Sequence, residues 1–83
     1  MRYRCEVYIR PRADILDPQG DAVLKALHNL SFNNVSRVRV GKYLVLSLEA
    51  DDPDTAKAQL DEMCAKLLAN PITEDFEVEV SAE

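Results

Sequence analysis

Residues 2–10 alternate strictly. Tyr3, Cys5, Val7 and Ile9 fall on one side, with Arg4, Glu6, Tyr8 and Arg10 on the other. This is the period of a half-buried strand, and Pro11, which cannot donate to a ladder, closes it. After a connection over residues 12–16, Asp17 and Pro18 write a helix start: the carboxylate can cap free backbone amides, and proline suits the first helical position. Ala22, Val23, Ala26, Leu27 and Leu30 then recur at spacings of three and four, which gives a helix with one apolar stripe. Residues 31–34 close it, and Asn33 or Asn34 is the expected left-handed residue. Two more alternating runs, 35–40 and 43–49, flank Gly41, so the pattern predicts a hairpin turning at Gly41-Lys42. Val38 and Val40 on one arm and Leu44, Leu46 and Leu48 on the other are expected to share a buried face. Asp52 and Pro53 repeat the capping device, and a second helix runs from about Pro53 to Leu68. Its stripe is Ala56, Leu60, Met63, Cys64, Leu67 and Leu68, and Asn70-Pro71 stops it. Phe76, Val78 and Val80 alternate with Glu77 and Glu79 in a last strand, and residues 81–83 read as a frayed end.

The order is strand, helix, strand, strand, helix, strand. Short right-handed connections turn that order into an α+β fold, the ferredoxin-like two-layer sandwich: a four-stranded antiparallel sheet with two helices on one face. Residues 1–83 form a single domain. The opposite sheet face is expected to carry Arg4, Glu6, Tyr8, Arg10, Arg37, Arg39, Tyr43, Val45, Ser47, Glu77 and Glu79 and has no third layer to cover it. Tyr8, Arg39, Tyr43 and Val45, aromatic and aliphatic groups among charges, are therefore the candidate self-association residues.

Size sharpens that expectation. A chain of 83 residues buries only roughly 60–65% of its unfolded surface, and association is a common remedy for so small a core. With 47% hydrophobic and 30% charged residues, the composition is that of a globular domain and not a disordered one. The net charge of −5 argues against general nucleic-acid binding, which needs a surplus of Lys and Arg. Charge is also uneven: Arg2, Arg4, Arg10 and Arg12 gather early, while the C-terminal third is acidic. No apolar run reaches the ~18 residues of a membrane span, and charges occupy the N-terminus where a signal peptide needs an apolar core, so a cytoplasmic location is expected. Cys5 and Cys64 lie far apart among apolar neighbours and read as small buried hydrophobes.

No catalytic, cofactor-binding or metal-binding residue is assigned. Glycine occurs only at positions 20 and 41, too few for a P-loop or dinucleotide fingerprint. His28, the sole histidine, has no nucleophile or further ligand near it in sequence, and Asp51, Asp52 and Asp54 have capping and helix-end roles available. An RNA-recognition module shares the strand order, but Tyr43, Val45 and Ser47 are not a row of base-stacking aromatics.

Three motifs carry a resemblance. They are residues 16–23 (Leu-Asp-Pro-Gln-Gly-Asp-Ala-Val), residues 38–42 (Val-Arg-Val-Gly-Lys), and residues 63–71 (Met-Cys-Ala-Lys-Leu-Leu-Ala-Asn-Pro), the last followed by Glu74-Asp75-Phe76. Together they resemble the PurS family, the small subunit of phosphoribosylformylglycinamidine (FGAM) synthase, along nearly the whole chain. Ser31 departs from the glycine usual after the first helix, and Thr73 and Phe76 replace the usual apolar and tyrosine choices. The resemblance implies a part in purine biosynthesis, where an amide oxygen of formylglycinamide ribonucleotide is replaced by nitrogen at the expense of ATP and glutamine. In the family, ATP and magnesium belong to a large PurL subunit and glutamine hydrolysis to PurQ. The small subunit pairs with itself, to a dimer or tetramer, and bridges the other two so that ammonia passes between active sites. The turns are then the expected partner contacts, through Asp17, Gln19, Gly41, Lys42 and Asn70. The alternative is an ACT-type small-molecule regulatory module, which has the same strand order.

Overall fold

A computed structural model describes residues 1–83. Its elements are β1 (Arg2–Pro11), α1 (Pro18–Asn29), β2 (Lys42–Glu49), α2 (Pro53–Met63), a π-helical turn (Cys64–Leu68) and β3 (Glu74–Ala82). The sheet has three antiparallel strands in the order β2-β1-β3. β1 is central: Cys5 stands opposite Leu46 on one side and Val80 on the other, and Val7 opposite Leu44 and Val78. Inner positions of all three strands therefore coincide, as their alternation requires.

The expected fourth strand is not formed. Residues 35–40 belong to no ladder, and the chain does not reverse at Gly41. Tight hairpin turns need a positive φ, and no glycine in the chain adopts one. The sequence contains the reason. Val38, Val40, Leu44, Leu46 and Leu48 keep the same parity on both sides of Gly41, with Lys42 the one polar residue in the series, whereas a two-residue turn would set Val40 opposite Tyr43 and swap the faces. Side-chain bonds hold residues 35–40 beside the 11–17 connection. Arg39 Nη1 donates to the carbonyls of Pro11 (2.9 Å) and Arg12 (2.8 Å), and its Nη2 donates to that of Ala13 (2.5 Å). Arg37 also donates to the carbonyl of Ala13 (2.8 Å).

The core lies between β1 and α2. Tyr3, Cys5, Val7, Ile9, Ala56, Leu60, Cys64 and Ala69 are its buried members. α2 packs over β1 and β3, so the two helices do not share one face of the sheet as expected. α1 buries only Gly20 and supplies no side chain to the core or its margin. Its expected stripe is open, with Val23 42% and Leu30 68% exposed. The molecule is accordingly long and thin, 51 × 26 × 14 Å. Its radius of gyration is 16.4 Å, against about 12 Å for a compact chain of this length.

Helix ends follow the capping chemistry, with two corrections. Asp17 accepts from the Gly20 amide (3.0 Å) and Asp52 from that of Thr55 (2.7 Å). At the far end of α1, Ser31 and not Asn33 or Asn34 is left-handed, with φ 75°. The Ser31 amide donates to His28 O and the Phe32 amide to Leu27 O, each at 3.0 Å, and this paired closure fixes the left-handed residue directly after the C-cap Leu30. The second correction is at Leu67, which is 82% exposed and outside the apolar stripe. The wide turn, closed by the Ala69 amide on Cys64 O (3.0 Å), rotates Leu67 outward and brings Ala69 into the core. Residues 81–82 are strand and not frayed, and the Glu83 amide donates to Arg2 O (3.0 Å).

Candidate functional site: an end cleft and a bare sheet face

Four of the five expected contact residues meet at one end of the sheet. Asp17, Gln19, Gly41 and Lys42, with Thr73 and Glu74, line a cleft of about 230 Å³. Asp17 is its fixed point. One carboxylate oxygen caps α1 and the other accepts from the Val40 amide (2.9 Å), so a single side chain ties the helix start to the segment entering β2. The Val40 and Gly20 hydrogen bonds hold its carboxyl below the usual aspartate range. The approach is close enough to demand glycine at two places. A Cβ on Gly20 would lie 2.3 Å from Val38 O, and one on Gly41 would lie 2.3 Å from Ile9 O. Lys42 Nζ lies 3.8 Å from a Glu74 carboxylate oxygen and stays largely exposed, and Gln19 is exposed. Asn70 is just outside this lining, and its polar atoms build the 70–74 turn. Its Oδ1 accepts from the Ile72 amide (3.0 Å), and its backbone amide donates to a Glu74 carboxylate oxygen (2.7 Å).

The expected self-association residues divide. Tyr8 and Tyr43 stand opposite each other across β1 and β2, their rings stacked with centroids 5.1 Å apart. Both phenols donate to one Glu6 oxygen, at 2.9 Å from Tyr8 and 2.7 Å from Tyr43. Those bonds hold the Glu6 carboxyl below its usual range, and the same bond from the other side pushes the Tyr8 phenol up to about 12. Tyr43 is pushed up for the same reason. Arg4 completes the cluster, its Nε 3.4 Å from Glu6. Val45, directly across from Glu6, is 49% exposed. Arg39 is not on this face at all, because its guanidinium is spent on the 11–13 carbonyls.

Sequence reasoning found the cleft residues one turn at a time and missed what joins them, the second Asp17 bond to Val40. Its only written signal is Gly20, placed where a helix interior would favour another residue. His28 Nε2 lies 2.8 Å from Val35 O and helps to close the end of α1. Burial pushes the Cys5 and Cys64 thiols up, and both are free. Such thiols are structural and unreactive.

These features define a class: a small α+β chain with a half-covered sheet, a helix standing off it, a cleft at one end of the sheet and an open sheet face. The chain matches the family model PurS, described as phosphoribosylformylglycinamidine (FGAM) synthase, over residues 4–82, and it belongs to the PurS family. Among its relatives, the PurS subunit of phosphoribosylformylglycinamidine synthase from Synechocystis sp. is 48% identical over 96% of this chain and 80% of its own length. That from Bacillus subtilis is 46% identical over 94% and 92%. The solved PurS of B. subtilis matches with a TM-score of 0.87, at 45% identity, over 96% of this chain and 99% of its own. A chain in the structure of PurLQS from Thermotoga maritima matches with a TM-score of 0.87, at 26% identity, over 98% and 99%. Membership of this family sets aside the ACT-type alternative.

Proposed function

We propose that this chain is the non-catalytic structural subunit of an FGAM synthase, holding a PurL synthetase and a PurQ glutaminase together so that ammonia from glutamine reaches the ATP-dependent site. The observation that carries the reading is the likeness to a chain of the T. maritima PurLQS structure over 98% of this sequence. The form of the molecule supports it: Asp17 and Asp52 are engaged in helix caps and Glu6 in the phenol–carboxylate cluster, which are structural uses. Asp17, Gln19, Gly41, Lys42 and the neighbouring Asn70 turn are the surface proposed to meet a larger subunit, and the Tyr8, Tyr43 and Val45 face the surface proposed for self-association. ATP and magnesium belong, in this reading, to the large subunit, and the assembly works in the cytoplasm. No helix of this chain is long and apolar enough to cross a membrane.

Co-expression with a PurL and a PurQ tests the proposal. A stable three-component complex is expected, with glutamine-dependent FGAM formation that falls when this chain is left out and ammonia-dependent formation that falls less. Full glutamine-dependent activity without the chain would overturn it.

A further inference from the structure

We propose that the open edge of β3 receives an extended segment of the larger subunit, added as an outer strand that sets a Lys or Arg against Glu79 and apolar side chains beside Val78 and Val80. This contact rests on the bridging role proposed above and gives it a physical form.

β3 pairs with β1 alone, so its other edge is free. The two ends of the ladder show which backbone groups are open. The Glu83 amide donates to Arg2 O (3.0 Å) and the Arg12 amide to Thr73 O (2.9 Å). Bonding alternates along an antiparallel strand, so the odd-numbered residues of β3 face β1. Phe76, Val78, Val80 and Ala82 therefore turn their N–H and C=O groups outward, while the Glu74 amide is already used on Asn70 O (2.8 Å). Such a row of free donors and acceptors, on a strand without proline, glycine or lysine, is a template for another strand. The inner side is ready as well. Phe76, Val78 and Val80 are half-buried at the margin of the core, and α2 packs over β3, so apolar side chains of an added strand would extend an existing core.

Charge selects the occupant. Glu74, Asp75, Glu77, Glu79 and Glu83 make this end of the chain acidic, with no basic residue among them. A second copy of β3 laid antiparallel would bring these acids against one another, and like charges directly opposite are destabilising. The edge thus repels its own kind and favours a basic strand. Within the chain Lys42 lies beside Glu74, Arg12 beside Asp75, Arg10 beside Glu77 and Arg2 beside Glu83. Glu79 alone has no cation. It is exposed and stands opposite Glu6, whose own oxygen already takes two phenols. A cation arriving from the open side is its natural partner. Position points to the larger subunit. Thr73 and Glu74, where β3 begins, line the cleft proposed to meet it, and Ile72 is exposed in the turn just before. A segment leaving that cleft runs directly onto the β3 edge.

Amide hydrogen exchange on the co-expressed complex tests the pairing without any substitution. In the isolated chain Glu77, Glu79 and Ser81 should be protected by β1, whereas Phe76, Val78 and Val80 should exchange freely. In the complex the second set should become protected too. Amides of that set that stay open in the complex, or that a second copy already protects in the isolated chain, overturn the proposal. Benzoylphenylalanine in place of Ser81 identifies the occupant. On irradiation it should link to the large subunit, in a stretch that alternates Lys or Arg with apolar residues, and a link to the glutaminase, to a second copy or to nothing overturns the assignment. Glu79→Lys sets like charges together and should weaken the complex about tenfold, with Glu79→Gln weakening it less. Equal affinities for the unaltered and Glu79→Lys chains count against it. A complex that forms with β3 still open leaves bridging intact and removes the edge contact alone, whereas a chain that forms no complex takes both away.

Discussion

Ser31 sits at φ 75°, in the left-handed region where a Cβ crowds the following carbonyl. Glycine relieves that crowding but widens the unfolded ensemble. Ser31→Gly should therefore stabilise the chain by roughly 0.5–1 kcal/mol, seen as a higher urea midpoint at constant slope. A second residue-scale effect concerns acid. Asp17 and Asp52 accept backbone hydrogen bonds that hold their carboxyls below the ordinary aspartate value of 3.8. A carboxyl whose pKa is lower folded than unfolded stabilises the fold above its ordinary value and loses that contribution as pH falls through the folded value. Stability should thus be flat near neutrality and fall below about pH 4. Asp52→Asn, which keeps a capping oxygen but cannot titrate, should flatten part of that fall in urea titrations taken at successive pH values. The caps were legible in the sequence because an Asp before a Pro admits few other readings. The left-handed residue was not. Asparagine tolerates that conformation by type, but the position was decided by where α1 runs out, at Leu30.

At the scale of elements, β1 and α2 form the part of the fold that stands without help. Leu60 is fully buried among the β1 side chains and the rest of α2, so Leu60→Ala should cost about 2–5 kcal/mol, measured by thermal or urea unfolding. The alternation of β1 and the stripe of α2 were readable because each element buries one face against the other. The hairpin reading failed at Gly41 for an instructive reason: glycine next to lysine looks like a turn locally, while the parity of Val38 through Leu48 points to a strand that does not turn. Parity over eleven positions is the stronger signal, because every inner side chain depends on it. Leu67 was misplaced by the same local habit, a helical period carried one turn beyond the point where the backbone widens.

For the whole molecule, the bare sheet face is the surface with a direct test. Tyr43 and Val45 are each about half exposed beside a fully bonded phenol–carboxylate cluster. Tyr43→Asp places a second carboxylate against Glu6, and it should shift sedimentation to a smaller species at unchanged secondary structure. An unchanged mass would take this face out of self-association. The gathering of distant turns into one cleft was not legible in the sequence, because it depends on Asp17 reaching across 23 positions to Val40. The strand pairing has one further consequence, for the order of events in synthesis. β1 lies in the middle of the sheet, yet Tyr3 finds its neighbours at Leu48 and Ala82. The first strand to leave the ribosome must wait for residue 49 before its ladder with β2 can close, and for nearly the whole polypeptide before its ladder with β3 can. Contacts this distant make folding slow. Until they form, the nascent segment carries an apolar strand with two open edges, the species for which chaperone protection during translation is most needed.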